Sequence, residues 1–250
     1  MLNIGWFSTG RDEAACQLLA AAEDAIERGD IEGRISFVFS NREPGEAEES
    51  DRFFRLVNSY GLPLVTLSSR RFRGSLTNSD DWRRRFDEEV DRLVRPYSPD
   101  VCMMAGYMLI MSEVLPTRYT MINVHPAPPG GPRGTWQEVM WQLIDGRAEN
   151  AGAMVNLVVP ELDAGPPITY FTFGLRGEEF DPLWQSGDRE ELFRRIREKE
   201  LAGEFPLMLH TLAALGRGEI RIQEGAVYDA AGNPVCGYDL SDRVLRAIGS

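Results

Sequence analysis

The 250-residue chain contains a single lysine, Lys199, two histidines, His125 and His210, and three cysteines, Cys16, Cys102 and Cys236. One lysine excludes a phosphate-loop lysine or a Schiff-base lysine anywhere else. Three widely spaced cysteines without a C-x-x-C pair argue against a disulfide framework or a zinc knuckle. The thiols read as buried and free, and no metal site is expected. Long apolar runs are also missing. The longest, Val101 to Met111, falls well short of the roughly 20 residues that a membrane-spanning helix needs. No positive segment precedes the apolar start of the chain, and Arg11, Asp12 and Glu13 follow early, so the amino terminus reads as a core strand and not a leader. The expectation is a cytoplasmic protein with no membrane partner. Positive charge is in deficit: 27 basic residues face 39 acidic ones, a formal charge of −12. Such a surface repels nucleic acid, although a helix start and a few arginines can still hold a small anion.

At 43 % hydrophobic residues the chain can bury a core. Its first half alternates short β-rich runs with amphipathic stretches: strands at 2–7, 34–40, 62–67 and 101–105, and helices at 13–27, 47–59 and from Asp80 or Asp81 to about Arg95. That rhythm predicts a Rossmann-like, mostly parallel sheet flanked by helices. Another strand over 121–124 leads into a Pro/Gly-rich loop, and Thr135 opens a helix to about Asp145. Strands at 153–159 and 168–173 flank the punctuated segment ELDAGPP. A long helix covers roughly 189–215. The last thirty residues read as a small β-hairpin appendix: IRIQEG, AVYD, a turn at 231–234, then CGYDL. The division expected is one α/β domain over residues 1–220, with a hairpin extension over 221–250 packed on it.

Chemistry gathers at INVHP. Asn123 and His125 are two apart, so on a strand they share a side, and ligands of a parallel sheet collect at the carboxyl ends of its strands. An amide donor beside an imidazole can polarise a carbonyl, or His125 can simply form a turn with proline. Asp163, in the loop between two expected strands, is either a turn cap or a carboxylate that moves protons. An Asn/His/Asp group without a nearby nucleophile suits direct acyl transfer to an amine through a tetrahedral intermediate. His210, in the apolar helix stretch PLMLHTLAAL, reads as structural.

INVHP followed by ELDAGPPI resembles the signature of the folate-dependent formyltransferases. FVFSN (Phe37 to Asn41), SPDVCMMAGYMLIM (Ser98 to Met111) and RYTMINVHPAPPGGPRG extend the likeness in order, most closely to the branch acting on glycinamide ribonucleotide. The resemblance implies the formyltransferase fold, with 10-formyltetrahydrofolate as co-substrate. It makes Asn123, His125 and Asp163 catalytic, and it places the pterin against Met108, Leu109, Ile110 and Met111 and near Glu161 and Leu162. Thr9, Gly10, Arg11, Gly134 and Glu200 fall at positions that face the acceptor.

This sequence also departs from the pattern. Where the family has a glycine- and asparagine-rich loop whose amides hold a phosphate, Ser8 to Glu13 here keeps one glycine and places Asp12 and Glu13 on the first helical turn. Acids there oppose a phosphate, and Arg11 is either a compensating cation or an ordinary surface arginine. Histidines expected after the catalytic loop are replaced by Thr135, Trp136 and Glu138.

The function expected is formyl transfer to a primary amine, with glycinamide ribonucleotide of purine biosynthesis as the leading acceptor. An amino sugar or amino acid derivative, hydrolysis of formyltetrahydrofolate, or a non-catalytic folate- or nucleotide-binding homologue are the alternatives. A nicotinamide-dependent dehydrogenase is disfavoured, because the first turn lacks G-x-G-x-x-G. The partners expected are a small-molecule amine, phosphorylated in the ribotide case, and at most a second copy of the chain in a homodimer.

Overall fold

The computed structural model describes residues 1–74, 79–161 and 164–249, with the backbone alone for residues 79–81. Its strands form a mostly parallel sheet flanked by helices, with a small antiparallel sheet near the carboxyl end. By internal contacts the chain divides into two compact units, Met1–Asn123 with Val158–Leu162, and Val124–Leu157 with Asp163–Ser250. Among the described residues no helix is long and apolar enough to cross a membrane.

The first unit is built from β1 (Leu2–Phe7), α1 (Glu13–Glu27), β2 (Gly33–Ser40), α2 (Glu48–Ser59), β3 (Leu64–Thr66), α3 (Ser69–Arg73), α4 (Ser79–Val94), β4 (Val101–Met104), α5 (Val114–Arg118) and the start of β5 (Met121–His125). The strand order is β3-β2-β1-β4-β5, parallel at every step. The expected β-α alternation holds because each strand is an apolar run covered by an amphipathic helix. Buried Phe7, Phe37, Phe39, Phe86 and Tyr107 fill the space under α4, and Phe7 meets Phe37 and Tyr107 edge-on. α1 starts where expected: the Asp12 side chain caps it by accepting from Ala15 N at 3.1 Å. The short helices α3 and α5 were not expected. The caps foreseen at Asp80 or Asp81 lie outside the described side chains.

The second unit holds α6 (Trp136–Asp145), β6 (Asn150–Leu157), β7 (Pro167–Gly174), α7 (Asp181–Ser186), α8 (Arg189–Gly216), β8 (Ile220–Gln223), β9 (Ala226–Asp229), β10 (Pro234–Val235), β11 (Tyr238–Asp239) and α9 (Ser241–Ala247). β6 and β7 are antiparallel. α8 crosses Phe171 of β7 at Gly203, where a Cβ would stand 2.2 Å from the ring. Only glycine allows that approach.

The expected antiparallel appendix is present as a three-stranded meander. β9 pairs with β8, the first of the expected segments, and with Pro234–Val235. Gly237, with φ +90°, turns the chain away, and Tyr238–Asp239 pair in parallel with Thr169 and Tyr170 of β7.

Candidate active site

β5 extends one residue further than the sequence suggested, through His125. It carries Asn123 and His125 in alternation, so both project to the same side of the strand. Asn123 is half-buried. His125 is only 2 % exposed, and its Nε2 lies 3.0 Å from the Pro132 carbonyl oxygen. A carbonyl only accepts, so this ring nitrogen carries hydrogen. The Pro/Gly loop after β5 thereby fixes both the tautomer and the plane of the imidazole. Asp163 and Leu162 lie outside the described residues. His210 sits half-buried on α8.

In the first unit, the loop after β4 leaves Met108 and Ile110 more than half exposed, while Leu109 and Met111 pack against the aromatic core. The loop is held at both ends. Met108 N donates to Thr9 Oγ1 at 3.0 Å. At the other end, Asp87 of α4 accepts from Ser112 N at 2.6 Å and Ser112 Oγ at 2.7 Å. Burial pushes the Asp87 carboxyl up to about 6, although the Ser112 bonds oppose this. Glu161 is exposed.

Thr9 is buried and donates to Asn41 Oδ1 at 2.9 Å. Its hydroxyl therefore ties together the segments that follow β1, β2 and β4. Gly10 N donates to the Ser8 hydroxyl. Arg11 is exposed and paired with Asp12 at 3.1 Å, and Glu13 is paired with Arg52 at 3.0 Å. The helix start expected to meet a phosphate is thus already occupied by acids with their own counter-ions.

Beside it lies a hollow of about 370 Å³ lined by Thr9, Asn41, Arg42, Ser69 and Arg70, among others. Sequence reasoning missed Arg42 and Arg70. They stand far apart in the chain and meet only because β2 and β3 are neighbours in the sheet.

In the second unit, Thr135 and Glu138, which replace expected histidines, form a capping box at the start of α6. Gly134 precedes it with φ +125°, and a Cβ there would be 2.7 Å from Glu138 Oε2. Trp136 is 40 % exposed and borders a hollow of about 520 Å³ with Phe193, Arg194 and Arg197. Arg197 stacks over the Trp136 ring, its guanidinium carbon 4.8 Å from the centroid.

Glu200 is fully buried and bonds Arg197, which also reaches Glu204 at 2.9 Å. Burial, then the neighbouring Glu204, push the Glu200 carboxyl far above its ordinary range. Two acids share one guanidinium there. Another buried acceptor, Asn156 Oδ1 on β6, has no hydrogen-bond partner among the described residues. Nor does any group of three or more His, Cys, Asp or Glu among the described residues have the arrangement to hold a metal.

The family described as Formyl transferase matches residues 14–173, which include Asn123, His125 and Asp163 and leave out Thr9 to Arg11. The chain belongs to that family. It is therefore an enzyme of the formyltransferase class, as the INVHP and ELDAGPPI motifs suggested.

The chain is similar to the phosphoribosylglycinamide formyltransferase of Escherichia coli, 26 % identical over 88 % of this chain and 92 % of that one. A phosphoribosylglycinamide formyltransferase of Coxiella burnetii shares the fold, with a TM-score of 0.64, 20 % identity, and coverage of 95 % of this chain and 98 % of that one. A formyltetrahydrofolate deformylase from Pseudomonas syringae does so at a TM-score of 0.56 and 19 % identity, over 91 % of this chain and 65 % of that one.

Proposed function

We propose that the protein transfers the formyl group of 10-formyltetrahydrofolate to a primary amine, with glycinamide ribonucleotide as the leading acceptor. The observation that carries this reading is His125, buried at the carboxyl end of β5 with its ring fixed by the Pro132 carbonyl and with Asn123 on the same side of the strand. Membership of the formyl transferase family and the E. coli relative support it.

In this reading the amine nitrogen attacks the formyl carbon, and the carbonyl electrons move onto oxygen. Asn123 and His125 donate to that oxyanion. Asp163 takes the proton that the amine must lose. Collapse breaks the bond to the folate nitrogen, which leaves with a proton as tetrahydrofolate. The pterin lies against Met108, Leu109, Ile110 and Met111 and near Glu161 and Leu162. Thr9, Gly10, Arg11, Gly134 and Glu200 belong to the acceptor side. The partially exposed Met108 and Ile110 offer apolar surface for a flat ring.

The test follows tetrahydrofolate release from 10-formyltetrahydrofolate with and without glycinamide ribonucleotide, using Asp163→Asn as control. Release that needs the ribotide and fails in the control supports transfer in the purine pathway. Release without any amine would give the chain the hydrolytic activity named for its P. syringae neighbour. Full activity in Asp163→Asn would remove that residue from the mechanism.

A further inference from the structure

A phosphorylated acceptor needs a cationic seat, and the first turn of α1 does not offer one. Asp12 caps the helix and accepts from Ala15 N, Arg11 pairs with Asp12, and Glu13 pairs with Arg52. A phosphate placed there meets two carboxylates on a chain whose formal charge is already −12.

One strand over, at the carboxyl ends of β2 and β3, the charge is reversed. The hollow of about 370 Å³ beside Thr9 is flanked by Arg42 and Arg70. No acidic side chain among the described residues forms an ion pair with either. Arg42 is anchored by one bond, Nη1 to Ser50 Oγ at 2.9 Å, which leaves most of its guanidinium N–H groups to face the hollow.

Arg70 belongs to a basic cluster on α3, and its neighbours there are otherwise engaged. Arg71 pairs with Glu43 at 2.6 Å and Glu46 at 3.5 Å, and Arg73 lies over the Trp82 ring. The one carboxylate on the rim, Glu46, is held by Arg71 and accepts from the Ser68 hydroxyl at 2.5 Å and from Glu43 N at 3.2 Å. The floor is rigid: Thr9 donates to Asn41, whose amide nitrogen donates to Ser69 Oγ at 3.3 Å. Two guanidinium groups lining one hollow with a hydrogen-bonded polar floor offer the donors that a phosphate monoester takes.

We propose that the hollow between Arg42 and Arg70 is a phosphate-monoester site that seats the anionic end of the acceptor. This rests on the reading above that the acceptor is a phosphorylated amine. It moves the anion from the first turn of α1, where Asp12 and Glu13 stand, to the ends of β2 and β3.

The experiment is a calorimetric titration of the full chain with ribose 5-phosphate, with ribose as the neutral control. Ribose 5-phosphate is expected to bind and ribose is not. Arg70→Glu, at an exposed position, and Arg42→Gln should each weaken binding by about tenfold or more, while Arg28→Ala, at the exposed carboxyl end of α1, changes it by less than about twofold. Loss of affinity in Arg11→Ala with Arg70→Glu unaffected would return the anion to the first loop and overturn the assignment. So would an absence of ribose 5-phosphate binding to the unaltered chain. A polyglutamyl tetrahydrofolate is titrated in parallel. If Arg70→Glu weakens that ligand and spares ribose 5-phosphate, the pocket serves the folate's carboxylates and the proposal falls. Because binding is read without turnover, a protein inactive in formyl transfer that still holds ribose 5-phosphate through Arg70 upholds the pocket while ending the transfer reading.

Discussion

Thr9 Oγ1 accepts the backbone N–H of Met108 at 3.0 Å, tying the loop after β1 to the loop after β4. The same hydroxyl donates to Asn41 at the end of β2. One buried side chain thus holds three strand ends in register, beside the surface assigned here to folate and acceptor. Thr9→Val keeps the shape and removes both bonds, which leaves the Met108 N–H and Asn41 Oδ1 short of partners. The expected cost is about 2 kcal/mol of stability in urea denaturation, together with a raised KM for 10-formyltetrahydrofolate. Thr9→Ser should restore most of both. A Thr9→Val protein as stable as the original would show that the hydroxyl is dispensable.

Much of the first unit could be read from its residues. Parallel strands buried on both faces are short continuous apolar runs, and Val101–Met104 stands out for that reason. The helices that went unseen, α3, α5, α7 and α9, are five to seven residues long. One or two turns give too little periodicity to separate from a loop. The antiparallel tail was legible from its turn residues, but the departure of CGYDL to the edge of β7 was not, because it depends on where Gly237 lets the chain turn.

The shared side of Asn123 and His125 was legible because strand alternation places them together. The hollow that Arg42 and Arg70 both line was not, since 28 positions separate them and only the sheet order brings the strands before them side by side. The histidine replacements at Thr135 and Glu138 were visible as replacements. Their role as a capping box was equally present in the T-x-x-E spacing.

Asp87 predicts a pH effect. Its carboxyl is raised from 3.8 to about 6, chiefly by burial. A carboxyl whose folded pKa exceeds its unfolded value ionises at the expense of folding. The destabilisation is therefore absent below about pH 4, grows as pH rises, and is complete above about pH 6, where it amounts to about 3 kcal/mol. Asp87→Asn cannot ionise. Urea midpoints measured from pH 4 to pH 7 should show the original chain losing ground to Asp87→Asn as pH rises through that window. Parallel curves for the two proteins would contradict the buried, strained carboxyl.

Arg197 stands between two acids, Glu200 and Glu204. Replacing it with methionine leaves the fully buried Glu200 and the half-buried Glu204 without their shared cation, and the expected loss is about 3 kcal/mol. Arg197→Lys keeps the charge and should restore part of that loss. Chemical denaturation of the two variants checks this. A lysine variant no more stable than the methionine one would mean that Arg197 contributes through its stacking on Trp136 and not through charge.

Asn123 and His125 are assigned to one oxyanion, and that assignment has a kinetic consequence. If each donates to the same oxygen, removing either should lower kcat by about 10²- to 10⁴-fold and leave the dissociation constant for folate nearly unchanged. Residues that act as a unit are not additive, so the double variant Asn123→Ala/His125→Ala should be far less impaired than the product of the two single losses. The His125 ring also bonds the Pro132 carbonyl, so a folding defect has to be separated from a chemical one. The folate dissociation constant, measured on each variant, makes that separation. A double variant whose loss equals the full product would mean that the two side chains act on different atoms, and one of them would then leave the oxyanion site.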